Sequence, residues 1–327
     1  MAPIYSPGSP SVWRRIFRFV AFALLVILFS CQTRHSPPIR VGANYWPGYE
    51  LLFLAKNLGY YEEKNIEIVR YPSSTDAMRA FRNGLIDGVA VTMDEALLLQ
   101  SGGSLIKVAL IFDISNGGDA IIGQKGVRSM KDLKGKKVGV ENTALGAYML
   151  TRALQENEME LSDIVIVPMA ANEHIEAFKG GKVNAVVTFE PARSTLISYG
   201  NALLFDSSQI PGEIIDGLAL RDGVIDGRPG VVRSLVDGYF KAFEYMKSNR
   251  PEALRKMALS ARTDQEKLGK SLDGLILAGR EENRRMLNPG DTALSERVRT
   301  LAEVMREKKL LDGAADLPSL FESSFVR

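Results

Sequence analysis

The chain repeats itself. Arg40-Val41-Gly42 returns as Lys137-Val138-Gly139, and Ala80-Phe81-Arg82 returns as Ala177-Phe178-Lys179, both 97 positions later. Between these anchors IEIVRYP (66–72) is answered by IVIVP (164–168), one residue out of step, and after them LIDGVAVT (85–92) by KVNAVVT (182–188), one residue shorter. Four matches in one order within frames of about forty residues are better accounted for by two similarly built α/β lobes than by chance. Within the first frame Ile39, Val41 and Ala43 alternate as a strand does, while Leu51, Leu52, Leu54 and Leu58 recur at helical spacing. IEIVRYP reads as a second strand, SSTDAMRAFRNG (73–84) as a helix opened by a Ser73 to Asp76 capping pattern, and GVAV (88–91) as a third strand. Strands alternating with helices imply parallel βαβ units and an α/β fold. The expected lobes are 39–118 with 216–327, and 119–215. The chain crosses between them through Ile111 to Gln124 and returns through Glu213 to Asp222, where apolar residues and glycine combine. Two such lobes set the carboxyl ends of their strands around one cleft, where open α/β sheets bind ligands, and permit hinged closure.

The N-terminus carries a different message. Arg14, Arg15 and Arg18 precede an unbroken apolar run from Phe19 to Phe29, then Ser30 and Cys31, the single cysteine of 327 residues. Basic, apolar and small residues in that order form a secretory signal, and the run is about half the length a spanning helix needs. Leu28-Phe29-Ser30-Cys31 resembles the lipobox of bacterial lipoproteins, which makes 1–30 a signal peptide, Cys31 the lipidation site and 31–38 a tether. The alternative is an unlipidated signal with an incidental cysteine. Losing 1–30 takes three arginines from 41 basic side chains and nothing from 39 acids, leaving 38 against 39. That balance argues against a nucleic-acid partner.

GANYWPGYELLFLAKNLGYYEE, followed by FRNGLIDGVAVT, DLKGKKVGVEN and VNAVVTFEP, resembles the solute-binding proteins of nitrate, sulfonate, taurine and thiamine-precursor ABC importers. The resemblance covers about 38–247. It implies the two-lobed type II periplasmic binding fold, and a monomer that hands a small-molecule solute to an ABC permease and its ATPase from the outer face of a membrane. Residues 248–327 then correspond to helices packed on the first lobe. Pocket contacts carried over from the family are Trp46, Tyr49, Ser73, Ser74, Thr75, Thr92 and Asp94 in the first lobe. From the crossing come Asp113, Ser115 and Asp119, and from the second lobe Glu141, Asn142, Thr143, Thr188 and Glu190. Several have an alternative reading. Trp46 also suits a core, Asn142 and Thr143 also suit helix caps, and Asp94 with Glu95 suits a solvated first turn. His174 lies opposite Asp76 in the repeat and reads as structural.

The sulfonate and nitrate members of this family bind anions, yet these segments hold no lysine or arginine and are crowded with Asp94, Asp113, Asp119, Glu141 and Glu190. Burying an anion among unpaired carboxylates costs several kcal/mol, so either some of these point away or the ligand is not a simple anion; the expected ligand is a nitrogen-bearing organic solute. A thiamine-pyrimidine precursor is the alternative within the family. An enzyme on this fold is the competing class: a fungal thiamine-pyrimidine synthase of this family has a cysteine-rich iron site and a catalytic histidine. Here there is one cysteine and two histidines, with no G-x-S-x-G, Walker or H-E-x-x-H motif. No cofactor and no metal site is therefore expected. A third reading is a partner of a separate sensor protein.

Overall fold

A computed structural model of the chain describes Pro3 and residues 36–62, 65–312 and 316–327. The chain divides into two compact units, Met1–Pro37 and Pro38–Arg327, and every element below belongs to the second. Cys31 and the signal segment that precedes it fall outside the described residues, apart from Pro3, as does most of the tether.

The repeat is visible in the backbone. Strands β1 (Ile39–Ala43), β2 (Ile66–Arg70) and β3 (Gly88–Thr92) alternate with helices α1 (Glu50–Asn57), α2 (Ser74–Arg82) and α3 (Met93–Ser101). A long strand β4 (Ile106–Ser115) follows, then β5 (Asp119–Gly123). The second round runs β6 (Lys137–Val140), α4 (Ala144–Glu156), β7 (Val165–Pro168), α5 (His174–Lys179), β8 (Ala185–Phe189), α6 (Ala192–Ser198) and β9 (Ala202–Asp206). Strand β10 (Ile215–Arg221) returns to the first sheet. β1 lies parallel between β2 and β3, as β6 does between β7 and β8. Val41 pairs with Gly88 and Val138 with Ala185, so both partners are displaced by the same 97 positions. Even the helix ends correspond, because α2 and α5 each stop before a glycine in the left-handed region, Gly84 at φ 71° and Gly181 at φ 69°.

Each crossing strand is inserted into the sheet of the other half. β10 lies antiparallel between β3 and β4, and β5 lies antiparallel between β8 and β9, giving strand orders β11-β4-β10-β3-β1-β2 and β7-β6-β8-β5-β9. The outward crossing is only residues 116–118 and the return is 207–214. They are tied together: the Ser115 and Ser207 hydroxyls lie 2.8 Å apart, and the Gly117 N–H donates to Ser207 Oγ at 2.7 Å. The two crossings therefore lie side by side, the arrangement a two-stranded hinge uses.

The remaining chain forms α7 (Asp222–Gly227), α8 (Pro229–Ser248), α9 (Arg250–Ala261), α10 (Gln265–Leu272), β11 (Leu275–Leu277), α11 (Arg280–Met286) and α12 (Ala293–Glu307). α8 and α9 pack on α1, burying Leu235, Tyr239, Ala253 and Met257 with Leu51 and Leu54 in one apolar core. Asn283 fastens this layer. Wholly buried, it accepts the Ile111 N–H at 2.7 Å and donates to the Ile111 carbonyl at 2.9 Å, tying α11 to the backbone of β4. Among the described residues no helix is long and apolar enough to cross a membrane.

Candidate functional site

A cavity opens between the sheets at the carboxyl ends of their strands. Asn44, Trp46, Tyr49, Ser74, Thr92 and Glu95 line it from one side, Glu141, Leu145 and Phe189 from the other, and Asp119 and Asp216 from the two crossing strands. It measures about 20 Å³, room for one or two water-sized bodies, so a larger solute fits only when the lobes part. A smaller niche shares Asp119, Glu141 and Phe189 with it and continues to Thr143, His174 and Thr188.

Local sequence explains how the first side is built. After β1, Asn44 Oδ1 accepts the Trp46 N–H at 2.9 Å, and Pro47 opens a one-turn 3-10 helix, Pro47–Tyr49. This turn throws both aromatic side chains back under the strand ends. The Trp46 indole N–H reaches both oxygens of Asp113 at 3.2 Å, and the Tyr49 hydroxyl donates to Asp216 Oδ1. The Trp46 ring meets Phe189 of the other lobe edge to face, with centroids 6.1 Å apart. The aromatics therefore serve as cavity wall and as core at once.

Helix starts supply the polar groups. Ser73 Oγ caps α2 through the Asp76 N–H at 3.1 Å, Ser74 donates to Glu95 Oε1 at 2.7 Å, and Glu95 Oε2 accepts the Thr92 N–H at 3.3 Å. Across the cleft, Thr75 donates its hydroxyl to Glu141 Oε1 at 3.0 Å and its N–H to the same oxygen at 3.4 Å. This is a direct clasp between the lobes. Thr143 caps α4 through the Gly146 N–H at 3.2 Å.

Six buried carboxyl groups, Asp94, Glu95, Asp113, Asp119, Glu141 and Asp216, surround this small space, and among the described residues none forms an ion pair. Burial raises all six above the usual carboxyl range: Asp94 to about 6, Asp119 to about 7, and Glu95 to about 8 with added repulsion from Asp94. Asp113, Asp216 and Glu141 move in the same direction for the same first reason. The Oδ2 atoms of Asp94, Asp119 and Asp216 are buried without a hydrogen-bond partner. So is His174 Nε2, while His174 Nδ1 meets Thr188 Oγ1 at 3.0 Å; burial holds this imidazole neutral by pushing it down to about 4.

The structure thus gathers Trp46, Tyr49, Ser74, Thr92, Asp119 and Glu141 on the cavity and puts Thr143 and Thr188 in the adjoining niche. Ser73 and Ser115 act as brackets, and Asp94 and Asp113 lie behind the lining. Asn142 is exposed and borders neither space. Glu190 turns away, held by Arg193 at 3.1 Å, Ser194 Oγ at 2.7 Å and, from α10, Ser271 Oγ at 3.1 Å. Sequence reasoning missed Asn44, Leu145, Phe189 and Asp216 as lining residues, weighed Glu95 only as part of a solvated first turn although it is buried on the cavity, and took His174 as structural. Asp216 had a signal: it is the one acid between apolar neighbours in IDGLAL. Gly118 guards the same wall, since a Cβ there would stand 2.6 Å from Trp46 Cη2. Gly118→Ala is expected to cost about 1–3 kcal/mol in denaturant unfolding and to shift Trp46 emission; unchanged stability and emission would show a looser wall.

The sequence model described as the NMT1-like family matches residues 32–261. A protein of Brucella abortus (strain 2308), named only as a binding protein, is 26% identical over 284 residues, spanning 79% of this chain and 84% of its own. The alkanesulfonate-binding protein SsuA of Xanthomonas axonopodis pv. citri, solved bound to MOPS, superposes with a TM-score of 0.76 at 16% identity, covering 88% of this chain and all of its own. The periplasmic nitrate-binding protein NrtA of Synechocystis PCC 6803 gives 0.70 at 13% identity over 88% and 86%. The desulfurization enzyme DSZB gives 0.66 at 15% identity over 89% and 98%. These structures share the periplasmic-binding-protein fold with this chain.

Proposed function

This chain belongs to the NMT1-like family, and from that premise we propose that it is a lipid-anchored extracytoplasmic protein that binds a small organic solute and delivers it to an ABC importer of the nitrate, sulfonate or taurine type. One observation carries the reading: the cavity takes its lining from both lobes and from both crossing strands, so a ligand enclosed there stabilises closure. The Brucella relative is named for binding, and the SsuA and NrtA neighbours bind an alkanesulfonate and nitrate on this fold. A lipid on Cys31 would keep the body beside its permease at the cell envelope. Within this reading a thiamine-pyrimidine precursor is the alternative solute.

The enzyme reading draws on a different observation, the DSZB fold together with a neutral buried His174 beside carboxyls of raised pKa. Native mass spectrometry of the purified protein separates the two. A solute-binding protein holds one small molecule per chain and releases it unchanged on unfolding. Conversion of that molecule into a product on prolonged incubation with excess would overturn the transport reading.

A further inference from the structure

Resting on the solute-binding reading, we propose that the solute is an organic cation, carrying an ammonium or amidinium group that Asp119 and Asp216 neutralise against the Trp46 and Phe189 rings. The charge inventory leads there. Both aspartates border the cavity from the crossing strands, both are almost wholly buried, and each keeps an Oδ2 with no partner. Every other contact to the six carboxyls comes from a neutral donor: Trp46 to Asp113, Tyr49 to Asp216, Ser74 to Glu95 and Thr75 to Glu141. Among the described residues no lysine or arginine lines the cavity.

An anion would need donors, and the natural ones are taken. A helix N-terminus is the usual seat of a negative group. At α2 that seat is filled by the protein's own Glu141, which accepts the Thr75 N–H and hydroxyl from across the cleft. The N-termini of α3 and α4 are closed by Glu95 at Thr92 and by Thr143 at Gly146. An anionic solute would therefore meet carboxyls where donors are required, whereas a cation meets two free carboxyl oxygens and aromatic walls suited to it. A bare metal ion fits poorly, since among the described residues no three His, Cys, Asp or Glu side chains are grouped to hold one.

Thermal unfolding of the full chain in EDTA, near pH 8 and so above the value of about 7 to which burial pushes Asp119, tests this at constant ionic strength. Methylammonium, tetramethylammonium and choline chlorides are the cationic probes, and sodium methanesulfonate and nitrate the anionic ones. The expected result is stabilisation by the cations alone, with apparent affinity falling roughly 30-fold or more in Asp119→Asn and in Asp216→Asn. Because Asp216 also receives the Tyr49 hydroxyl, Asp119→Asn carries the test should the other variant not fold. Stabilisation by the anions alone would overturn the positive charge and leave the solute-binding reading standing. No cation response would overturn it too; if native mass spectrometry then also finds a bare chain, the solute-binding reading falls with it.

Discussion

Raising the pH from about 6.5 to about 8.5 will lower the unfolding free energy of the ligand-free protein by several kcal/mol. The sign follows from where protons sit. An unfolded chain has released its carboxyl protons by about pH 5, but the folded chain keeps those of Asp119 and Glu95, pushed by burial to about 7 and about 8. Over that interval the folded state binds more protons, so stability falls as pH rises. Asp94, at about 6, contributes mainly at lower pH. There His174 opposes the carboxyls. Held neutral by burial down to about 4, it favours the unfolded chain, which protonates at the ordinary imidazole pKa, so its contribution to stability rises with pH up to about 6.5. The window above 6.5 therefore reports the cleft carboxyls alone. Denaturant titrations across it will show the decline, and Glu95→Gln will flatten it. A flat or rising profile would mean that the cleft carboxyls are already charged and solvated.

The second large effect comes from beneath the site. Arg70→Met should cost about 3–5 kcal/mol, because it strands Glu50, whose side chain is 0% exposed, as a buried charge without a partner. Arg70 donates to both Glu50 oxygens, at 2.5 and 2.8 Å, and its guanidinium lies 3.5 Å from the Phe53 ring centroid. It also holds the Asn44 carbonyl at 2.9 Å, and Asn44 in turn fixes the Trp46 N–H. Chemical denaturation should therefore show the loss, and Trp46 emission should shift with it. Adding Glu50→Gln should restore most of the stability, since no buried charge then remains. A loss below about 1 kcal/mol in the single variant would show that water reaches Glu50.

Much of this architecture is written in short-range pattern. The alternation of Ile39, Val41 and Ala43, the Ser73 cap and the 97-residue echo each depend on near neighbours, and each reappears as β1, the start of α2 and the matched pairing of Val41 with Gly88 and Val138 with Ala185. Which acid faces the cleft was harder to read, because it depends on partners far along the chain. Glu190 follows a strand just as Glu141 does, yet Arg193, Ser194 and Ser271 draw it aside while Glu141 finds Thr75 66 positions away. Asp216 joins the site because β10 is inserted beside β3 and β4, a pairing that no local pattern in IDGLALR announces. The place of His174 in the repeat points to a structural role; that place shows its helix but not the unpartnered Nε2 at the niche.

A solute enclosed in the cleft lies against Trp46, and the chain has only one other tryptophan, Trp13. In the Trp13→Phe protein, emission is a single-site report from the cleft wall. Titration with organic cations, alkanesulfonates, nitrate and thiamine pyrimidines should give, for one class, a saturable change in that emission together with a higher melting temperature. Stabilisation with Trp46 emission unmoved would place the ligand outside this cleft and overturn the solute site proposed at Trp46.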